Sequence, residues 1–321
     1  MEYYNGYSDS SYTEGNGVIY LNNTVVLKRI SLKGKVKPGA DITGELRVYQ
    51  RGDGYDRDGQ VYFLSDSTVK RLLNGKTTFD AAGKKAVADY VYKPGYLFVT
   101  PFFFWYQSIK SVPYTFNLND MSALLTGDQP CWVAVSVWGV PWKGTTAEGN
   151  AYDWNLQDDQ RTFAADFNIV ADNDAANANP DYVQSIQFGR ITNADGSNTA
   201  TLNSTVTIPA RLKNARIVVI SQSWGGIEEY TYHTHQVSWD GAQIGSFSTQ
   251  VNCGPNTMRD FDIFSPPRNW CPSEVVTPHA TAIPGTVDAK STHTVQVKIV
   301  NGVADDNNNF KLSVYITGTK Y

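Results

Sequence analysis

TFAADFNIVADNDAANANPDYVQSIQFGRI, residues 162–191, holds two extended runs with a polar stretch between them. Apolar residues alternate with polar ones in residues 162–172 and recur in residues 182–191, which predicts a strand on each side. The stretch between them, Asn173–Asp181, has the Asn, Asp, Ala and Pro composition of a linker. Because 321 residues are enough for two sizeable cores, we expect two domains, residues 1–172 and 173–321.

Short alternating or apolar runs with turn signals between them continue on both sides of this linker. The clearest are VVLKRISLKGKV (25–36), GELRVYQRG (44–52) and CWVAVSVWGV (131–140) before it, and ARIVVISQSW (215–224), HTVQVKIVNG (293–302) and FKLSVYITG (310–318) after it. Only LNDMSALLTG (118–127) predicts a short helix, with Asn119 or Asp120 as its N-cap. The pattern predicts an all-β protein of two antiparallel β-sandwiches side by side.

Charge and hydropathy exclude two classes of partner. Only 18% of residues are charged and the net charge is −4, with no basic block, so we expect no nucleic acid contact. No apolar run approaches the roughly 20 residues that a membrane span needs, and the polar start of the chain carries no signal peptide. His233 and His235 lie on one face of a predicted strand, but a metal site needs a further ligand, and we expect no metal.

Two of the three cysteines bracket an unusual segment. FSPPRNWCP, residues 264–272, places an arginine and a tryptophan between prolines that restrict the backbone, as a loop that holds a ligand would require. Cys253 and Cys271 are close enough in sequence to close a loop around it, and such a disulfide would imply export. Cys131 lies in an apolar run and is expected to be a buried free thiol.

Two further segments carry candidate chemistry. GDGYDRDGQVYFL (52–64) puts Asp56 and Arg57 in a glycine-rich turn before a strand. The alternative without a function is that Asp and Gly serve only the backbone geometry of the turn. SWGGIEEYTYHTH (223–235) places Trp224 ahead of the adjacent acids Glu228 and Glu229. Trp138, at a strand end, is either core or a platform for a sugar ring. Acids, arginines and indoles at strand ends in both halves suit a carbohydrate-cleaving cleft between two sandwiches.

These motifs, in this order, resemble the peptide:N-glycosidase F family, bacterial amidases that release whole N-glycans from asparagine. The resemblance extends from about Val25 to Gly318 and includes YDRDGQVYFL, the strand CWVAVSVW, FAADFNIVAD, SWGG, THQVSWDG and RNWCP. It implies two eight-stranded jelly rolls packed side by side, an active site between them, an N-glycosylated protein or peptide as substrate, and no cofactor.

The resemblance also implies roles for individual residues. Asp56 matches the principal catalytic acid, and Glu229 matches the acid of the second domain, with Glu228 as the substitute if the register slips by one. The remaining substrate-binding positions and the disulfide fall on Arg57, Arg268, Trp138, Trp224, Trp270, Ser136, Cys253 and Cys271.

The chain departs from the family at several of these positions. A third family acid falls on Ser136, and the histidine that usually follows Trp-Gly is Gly226. We therefore expect an amidase that is weakened by the loss of the acid at Ser136, secreted or periplasmic, and monomeric. The alternative is a non-catalytic double jelly roll: either a glycan-binding module or a capsid-type structural protein that would form trimers or larger assemblies in a virion.

Overall fold

The computed structural model describes residues 1–4, 6, 12–14, 17–21, 23–66, 69, 94–101, 103, 110–143, 153–156, 160–191, 199–253, 268–305 and 307–321. Twenty strands account for most of these described residues. The strands up to the linker are β1 Glu2–Tyr4, β2 Tyr12–Glu14, β3 Val18–Leu21, β4 Val25–Ile30, β5 Asp41–Gln50, β6 Asp58–Ser65, β7 Gly95–Val99, β8 Ser111–Asn117, β9 Cys131–Val137, β10 Trp142–Lys143, β11 Asp153–Leu156 and β12 Arg161–Asp172. Those after it are β13 Tyr182–Arg190, β14 Thr199–Ile208, β15 Leu212–Trp224, β16 Thr234–Trp239, β17 Ala242–Ser248, β18 His279–Ala282, β19 Ser291–Val303 and β20 Asn309–Lys320.

The strands form antiparallel sheets that stack as two sandwiches, so the predicted all-β jelly-roll fold is confirmed. The N-terminal sandwich has the sheets β1-β12-β5-β8 and β2-β3-β4-β9-β6-β7, and β10 pairs with β11 outside them. The C-terminal sandwich has the sheets β13-β20-β15-β18 and β14-β19-β16-β17, which gives eight strands. The N-terminal sandwich exceeds eight because β2 and β3 extend its second sheet beyond β4.

Helical structure in the described residues is short. A 3₁₀ helix over Asn119–Met121 leads into α1, Ser122–Leu125, where the sequence predicts a helix. The predicted N-cap is wrong, because neither helix has a side-chain cap. The Asn119 amide instead accepts from the Ile42 N–H at 2.8 Å and donates to Asp41 at 2.8 Å, which ties the helix to β5. No helix in the described ranges is long and apolar enough to cross a membrane.

The two sandwiches meet through a continuous apolar interface. Residues on one face of β15 and β20, including Ile220 and Tyr315, belong to the same buried cluster as the N-terminal core. The rings of Tyr62 on β6 and Phe188 on β13 lie 5.1 Å apart across this interface. The residues on the opposite face of β15, such as Val219, pack instead into the separate C-terminal core. The alternation within one strand thus fixes which residues face the neighbouring sandwich.

A segment of the C-terminal half also extends the N-terminal sheet. Residues 273–276 run beside the edge strand β7, with Ser273 N–H donating to Val99 O at 3.0 Å and Val276 N–H donating to Leu97 O at 2.8 Å. Val99 N–H donates in return to Glu274 O at 3.0 Å. These backbone bonds cover an otherwise open sheet edge and fix the segment that follows Cys271.

Candidate active site

Asp56 lies in the turn between β5 and β6, and a second aspartate holds that turn in place. Asp53 is fully buried, and its Oδ1 accepts from the Tyr55 N–H at 2.9 Å. Its Oδ2 accepts from Arg57 Nε at 2.8 Å and from the Val140 N–H at 2.6 Å. Burial raises the pKa of Asp53, although Arg57 and the two backbone donors oppose the shift. Asp53 thus shapes the loop and orients Arg57.

Thr100, directly after β7, holds the same turn from the other side. Its Oγ1 accepts from the Arg57 N–H at 2.7 Å and donates to Tyr55 O at 3.2 Å, while its own N–H donates to Arg57 O at 2.9 Å. Because the backbone on both sides of Asp56 is fixed, the position of the Asp56 carboxyl is fixed with it.

The protonation of Asp56 reports which groups surround it. Burial, which is the largest cause, and the charge of Glu229 together raise the pKa of Asp56 to about 7, against the opposing charges of Arg57 and Arg268. The carboxyl is therefore partly desolvated and within electrostatic reach of groups from both sandwiches. We call these four residues, Asp56, Arg57, Glu229 and Arg268, the charged cluster. A carboxyl that titrates near neutral pH in such surroundings is suited to general acid and base chemistry.

Glu229 lies on a 3₁₀ helix, Glu228–Tyr230, which follows the end of β15. Its Oε2 accepts from the Gly225 N–H at 3.2 Å, and its N–H donates to Gly225 O at 3.3 Å. Gly225 and Gly226 have φ values of 78° and 50°, a left-handed conformation that favours glycine. A Cβ at Gly226 would lie 2.2 Å from Asn308 Oδ1, so the Asn308 side chain would have to move to admit the histidine that the resemblance implies there.

Glu228, the substitute for Glu229, points the other way. Its side chain is 1% exposed, and its Oε1 accepts from the Val303 N–H at 2.8 Å. Its Oε2 lies 2.5 Å from His233 Nε2. Glu229, in contrast, is only partly buried and acts on Asp56. The structure therefore brings Glu229, and not Glu228, to the charged cluster.

Arg268 reaches the cluster from the proline-rich segment, of which residues 264–267 lie outside the described residues. Its backbone pairs with Val251, with Val251 N–H donating to Arg268 O at 2.7 Å. Cys253 and Cys271 form a disulfide with their Cα atoms 5.6 Å apart. The Arg268 side chain is 1% exposed, and its guanidinium lies 5.3 Å from the centre of the Trp270 ring. Disulfide, backbone pair and indole together hold the arginine in place.

The three tryptophans proposed from the sequence as substrate-binding residues occupy different environments. Trp270 is 1% exposed and donates from Nε1 to Ser223 O at 2.8 Å, so its indole is buried and does not line the cleft. Trp224 stacks on it at 4.5 Å and is partly exposed. Trp138 is also partly exposed, and the guanidinium of Arg57 lies 4.9 Å from its ring centre. Trp138 and Trp224 therefore remain available to a ligand, while Trp270 supports Trp224 and Arg268.

Ser136 lies on β9 directly opposite Gln60 of β6, on the same face as Trp138. Gln60 Nε2 donates to Asp58 Oδ2 at 3.3 Å, and Lys311 of β20 forms an ion pair with the same carboxylate. The position of the missing family acid thus lies beside an ion pair between the two sandwiches.

Sequence reasoning missed several of these residues. Asp53 and Asp58 belong to the same motif as Asp56, but nothing in the sequence distinguishes their roles. Thr100 and Lys311 reach the region only through the tertiary fold, and His233, considered from the sequence only as a metal ligand, pairs with Glu228. The described residues contain no group of His, Cys, Asp and Glu side chains arranged to hold a metal ion.

Comparison with known proteins places this chain in a family. The family described as "Peptide-N-glycosidase F, N terminal" matches residues 3–157, and "Peptide-N-glycosidase F, C terminal" matches residues 193–317. Both halves of the fold and most of the chain are matched. The chain therefore belongs to the peptide-N-glycosidase F family.

Solved structures share the fold at low sequence identity. This chain is 19% identical in sequence to PNGF-II, and the two structures superpose with a TM-score of 0.71. The match covers 100% of this chain and 64% of the PNGF-II chain. The chain thus spans about two thirds of that protein. PNGase F, a glycosylasparaginase from Flavobacterium meningosepticum, is 13% identical with a TM-score of 0.57, and 100% of this chain and 96% of that one are covered. A recombinant peptide: N-glycanase F is 14% identical with the same TM-score and coverage. No curated protein matched the sequence.

Proposed function

We propose that the protein hydrolyses the amide bond between a glycan and asparagine, releasing N-glycans from glycoproteins or glycopeptides. One observation carries this proposal. Asp56, whose pKa is raised to about 7, shares the charged cluster with Glu229 of the other sandwich. Family membership favours this amidase over a glycan-binding module or a structural shell protein.

The geometry suggests a role for each member of the cluster. Asp56, as a carboxylate, takes a proton from the water that attacks the asparagine carbonyl carbon, and returns it to the nitrogen that leaves with the glycan. Glu229 accepts hydrogen bonds from the amide N–H and the attacking water. Arg268 stabilises the negative charge that develops on the carbonyl oxygen. The peptide keeps an aspartate and the glycan leaves as a glycosylamine, so atoms and charge balance.

The surrounding side chains would bind the sugar. The exposed parts of the Trp138 and Trp224 rings offer apolar surface for sugar rings. Arg57, which Asp53 holds in place, offers a charged donor to sugar hydroxyl groups. Ser136 would contact the substrate where the family has an acid, which motivates the expectation of a slower enzyme.

We also propose that the protein is secreted or periplasmic and acts as a monomer. The Cys253–Cys271 disulfide supports an oxidising compartment. The active-site residues all come from one chain, so catalysis does not require a second copy.

The test is incubation with a denatured N-glycoprotein, with mass spectrometry to detect released glycan and conversion of asparagine to aspartate. Asp56→Asn and Glu229→Gln should each lower the rate by roughly 10²- to 10⁴-fold. Asp128→Asn, at a surface acid whose side chain is 83% exposed, is the matched control and should not change the rate. Glycan binding without turnover by the unmodified protein would overturn the proposal.

A further inference from the structure

A buried acid and histidine lie directly behind Glu229. Glu228 is 1% exposed and His233 is 9% exposed, and neither takes part in the chemistry proposed above. Both carboxylate oxygens of Glu228 are engaged: Oε2 by His233 Nε2 at 2.5 Å and Oε1 by the Val303 N–H at 2.8 Å. The Glu228 backbone oxygen also accepts from the Ser223 hydroxyl. These contacts hold the Glu228 side chain and backbone in one position.

The hydrogen-bond partners fix how many protons this pair carries. His233 Nδ1 lies 3.0 Å from Val300 O, and a carbonyl oxygen only accepts, so Nδ1 carries a hydrogen. At the other end, two lone pairs cannot face each other at 2.5 Å, so a proton lies between Nε2 and Oε2. The pair is therefore imidazolium with carboxylate, or imidazole with carboxylic acid. In either form one proton joins the two side chains.

The groups around His233 favour its protonated form. Burial alone would lower the pKa of His233, but the hydrogen bond and charge of Glu228, with the Val300 carbonyl, raise it above its ordinary value. His235, two residues along β16, is neutral because burial lowers its pKa to about 4. His279 of β18 is neutral at this pH too, since burial lowers its pKa.

The remaining elements packed around the pair bring no further charge among the described residues. The ring of Phe310 on β20 packs against the imidazole at 5.8 Å, and β19 contributes the Val300 carbonyl. Thr249, after β17, donates from its hydroxyl to His233 O at 3.3 Å. Ser221 of β15 lies 2.9 Å from the ring of His235. Glu228 is thus the charged partner that determines the state of His233.

The pair is attached to the helix that carries Glu229. Glu228 and Glu229 are neighbours on one 3₁₀ helix, whose N–H groups both bond to Gly225 O. That helix follows Gly225 and Gly226, two glycines in a left-handed conformation. The Glu228 carboxyl ties the helix to β19 and to His233, and so prevents it from turning about its glycine entrance.

We propose that Glu228 and His233 form a proton-holding pair that positions Glu229, and that loss of the shared proton at alkaline pH releases Glu229 and ends activity. This inference rests on the proposed amidase function for its catalytic consequence, but not for its structural one. The direction follows from linkage: a histidine with a raised pKa contributes stability below its unfolded value of about 6.5 and loses it as pH rises through the folded value.

Two variants distinguish the effect of the shared proton from the effect of the side-chain contacts: Glu228→Gln removes only the proton, and Glu228→Ala removes both. Glutamine keeps the shape, accepts from Val303 N–H and donates to neutral His233, but has no proton to lose. We expect Glu228→Gln to retain most of the neutral-pH kcat and to lose the alkaline decline. Glu228→Ala should lower kcat by about 10²-fold at all pH values, as a misplacement of about 1 Å does, with little change in KM.

The surface pair of Asp240 and His293 is a matched control. His293 Nδ1 lies 2.7 Å from Asp240 Oδ2, and Asp240 Oδ1 accepts from a backbone N–H at 2.9 Å, as in the buried pair. Asp240→Asn should leave the pH profile unchanged. An alkaline decline that persists in Glu228→Gln, or that disappears in Asp240→Asn, would overturn the proposal.

A second measurement does not depend on activity. Because the charge of Glu229 raises the pKa of Asp56, NMR titration of the Asp56 carboxyl reports where Glu229 lies. Glu228→Ala should lower the pKa of Asp56, and Glu228→Gln should not. An unchanged value in folded Glu228→Ala, verified by its thermal unfolding, would refute positioning by this pair. A protein that shows these shifts but releases no glycan would refute only the amidase function.

Discussion

Asp56 and Glu229 belong to different sandwiches, yet the charge of Glu229 acts on Asp56 and helps to raise its pKa to about 7. Two carboxylates in one partly desolvated site cannot both ionise freely, so one of them keeps its proton to a higher pH. Arg57 and Arg268 limit this effect without cancelling it. The site therefore depends on how the two sandwiches are packed, and each group in it can be tested through the titration of another.

Glu229→Gln removes a negative charge from beside Asp56 and should lower the pKa of Asp56. The acidic limb of kcat/KM, where Asp56 gains its proton, should move to lower pH in the residual activity. NMR titration of the Asp56 carboxyl measures the same shift directly. A pKa that stays at its wild-type value in Glu229→Gln would mean that the two carboxylates do not share a site.

Asp56→Asn should make the protein more stable while it removes activity. The folded pKa of Asp56 is about 7, above its ordinary value of 3.8, so the folded state binds more protons than the unfolded state between these values. Stability contributed by this group therefore falls as pH rises from about 4 to 7 and stays low above that. Asparagine avoids this loss.

The gain should be on the order of 1–3 kcal/mol at pH 8, after allowance for the partial exposure of Asp56, and should vanish near pH 4. Chemical denaturation of both proteins at several pH values measures it. A gain of equal size at both ends of this range would have to come from something other than the Asp56 charge.

The fold could be predicted because its signal is local. Alternating side chains set each strand and its buried face, as in β15, where Val219 enters the C-terminal core and Ile220 the interface between sandwiches. The linker composition separated the two groups of strands. The added N-terminal strands β2 and β3 were not predicted, because three or four residues give too short a pattern.

The site could be predicted only in part, because tertiary contacts determine which way each side chain points. Glu228 and Glu229 are the same residue type in adjacent positions, and only tertiary contacts, such as those of the Glu228 carboxyl with His233 and the Val303 N–H, distinguish them. Trp270 has the composition of a cleft residue, but Ser223 and Trp224 bury it. The Asp58–Lys311 ion pair joins distant strands and leaves no pattern in the sequence.

Ser136→Glu should increase the rate of glycan release. Ser136 is partly exposed, lies opposite Gln60 and shares a face with Trp138, so a carboxylate there would point toward the substrate side of the sheet. The nearby Lys311 supplies a positive charge that favours an ionised acid. Ser136→Gln, of similar size but uncharged, is the control. Equal rates for both variants would show that the charge has no function in this chain.

Breaking the Cys253–Cys271 disulfide should weaken both the fold and catalysis. The bond closes a loop of 18 residues, so the double change to serine should lower the free energy of unfolding by roughly 3 kcal/mol. Arg268 lies inside that loop, three residues before Cys271, and loosening it should lower kcat more than it raises KM, because Arg268 acts on the developing charge.

Cys131→Ala is the control for thiol chemistry. Cys131 is a free cysteine, so a reductant has no bond to break there, and its pKa, raised to about 12 by burial, keeps it from thiol–disulfide exchange at neutral pH. Reductant should slow wild type and Cys131→Ala alike, and should not affect the double serine variant. If that variant keeps the wild-type kcat, the backbone pair with Val251 and the packing of Trp270 are enough to hold Arg268 at the charged cluster, and the disulfide contributes stability alone.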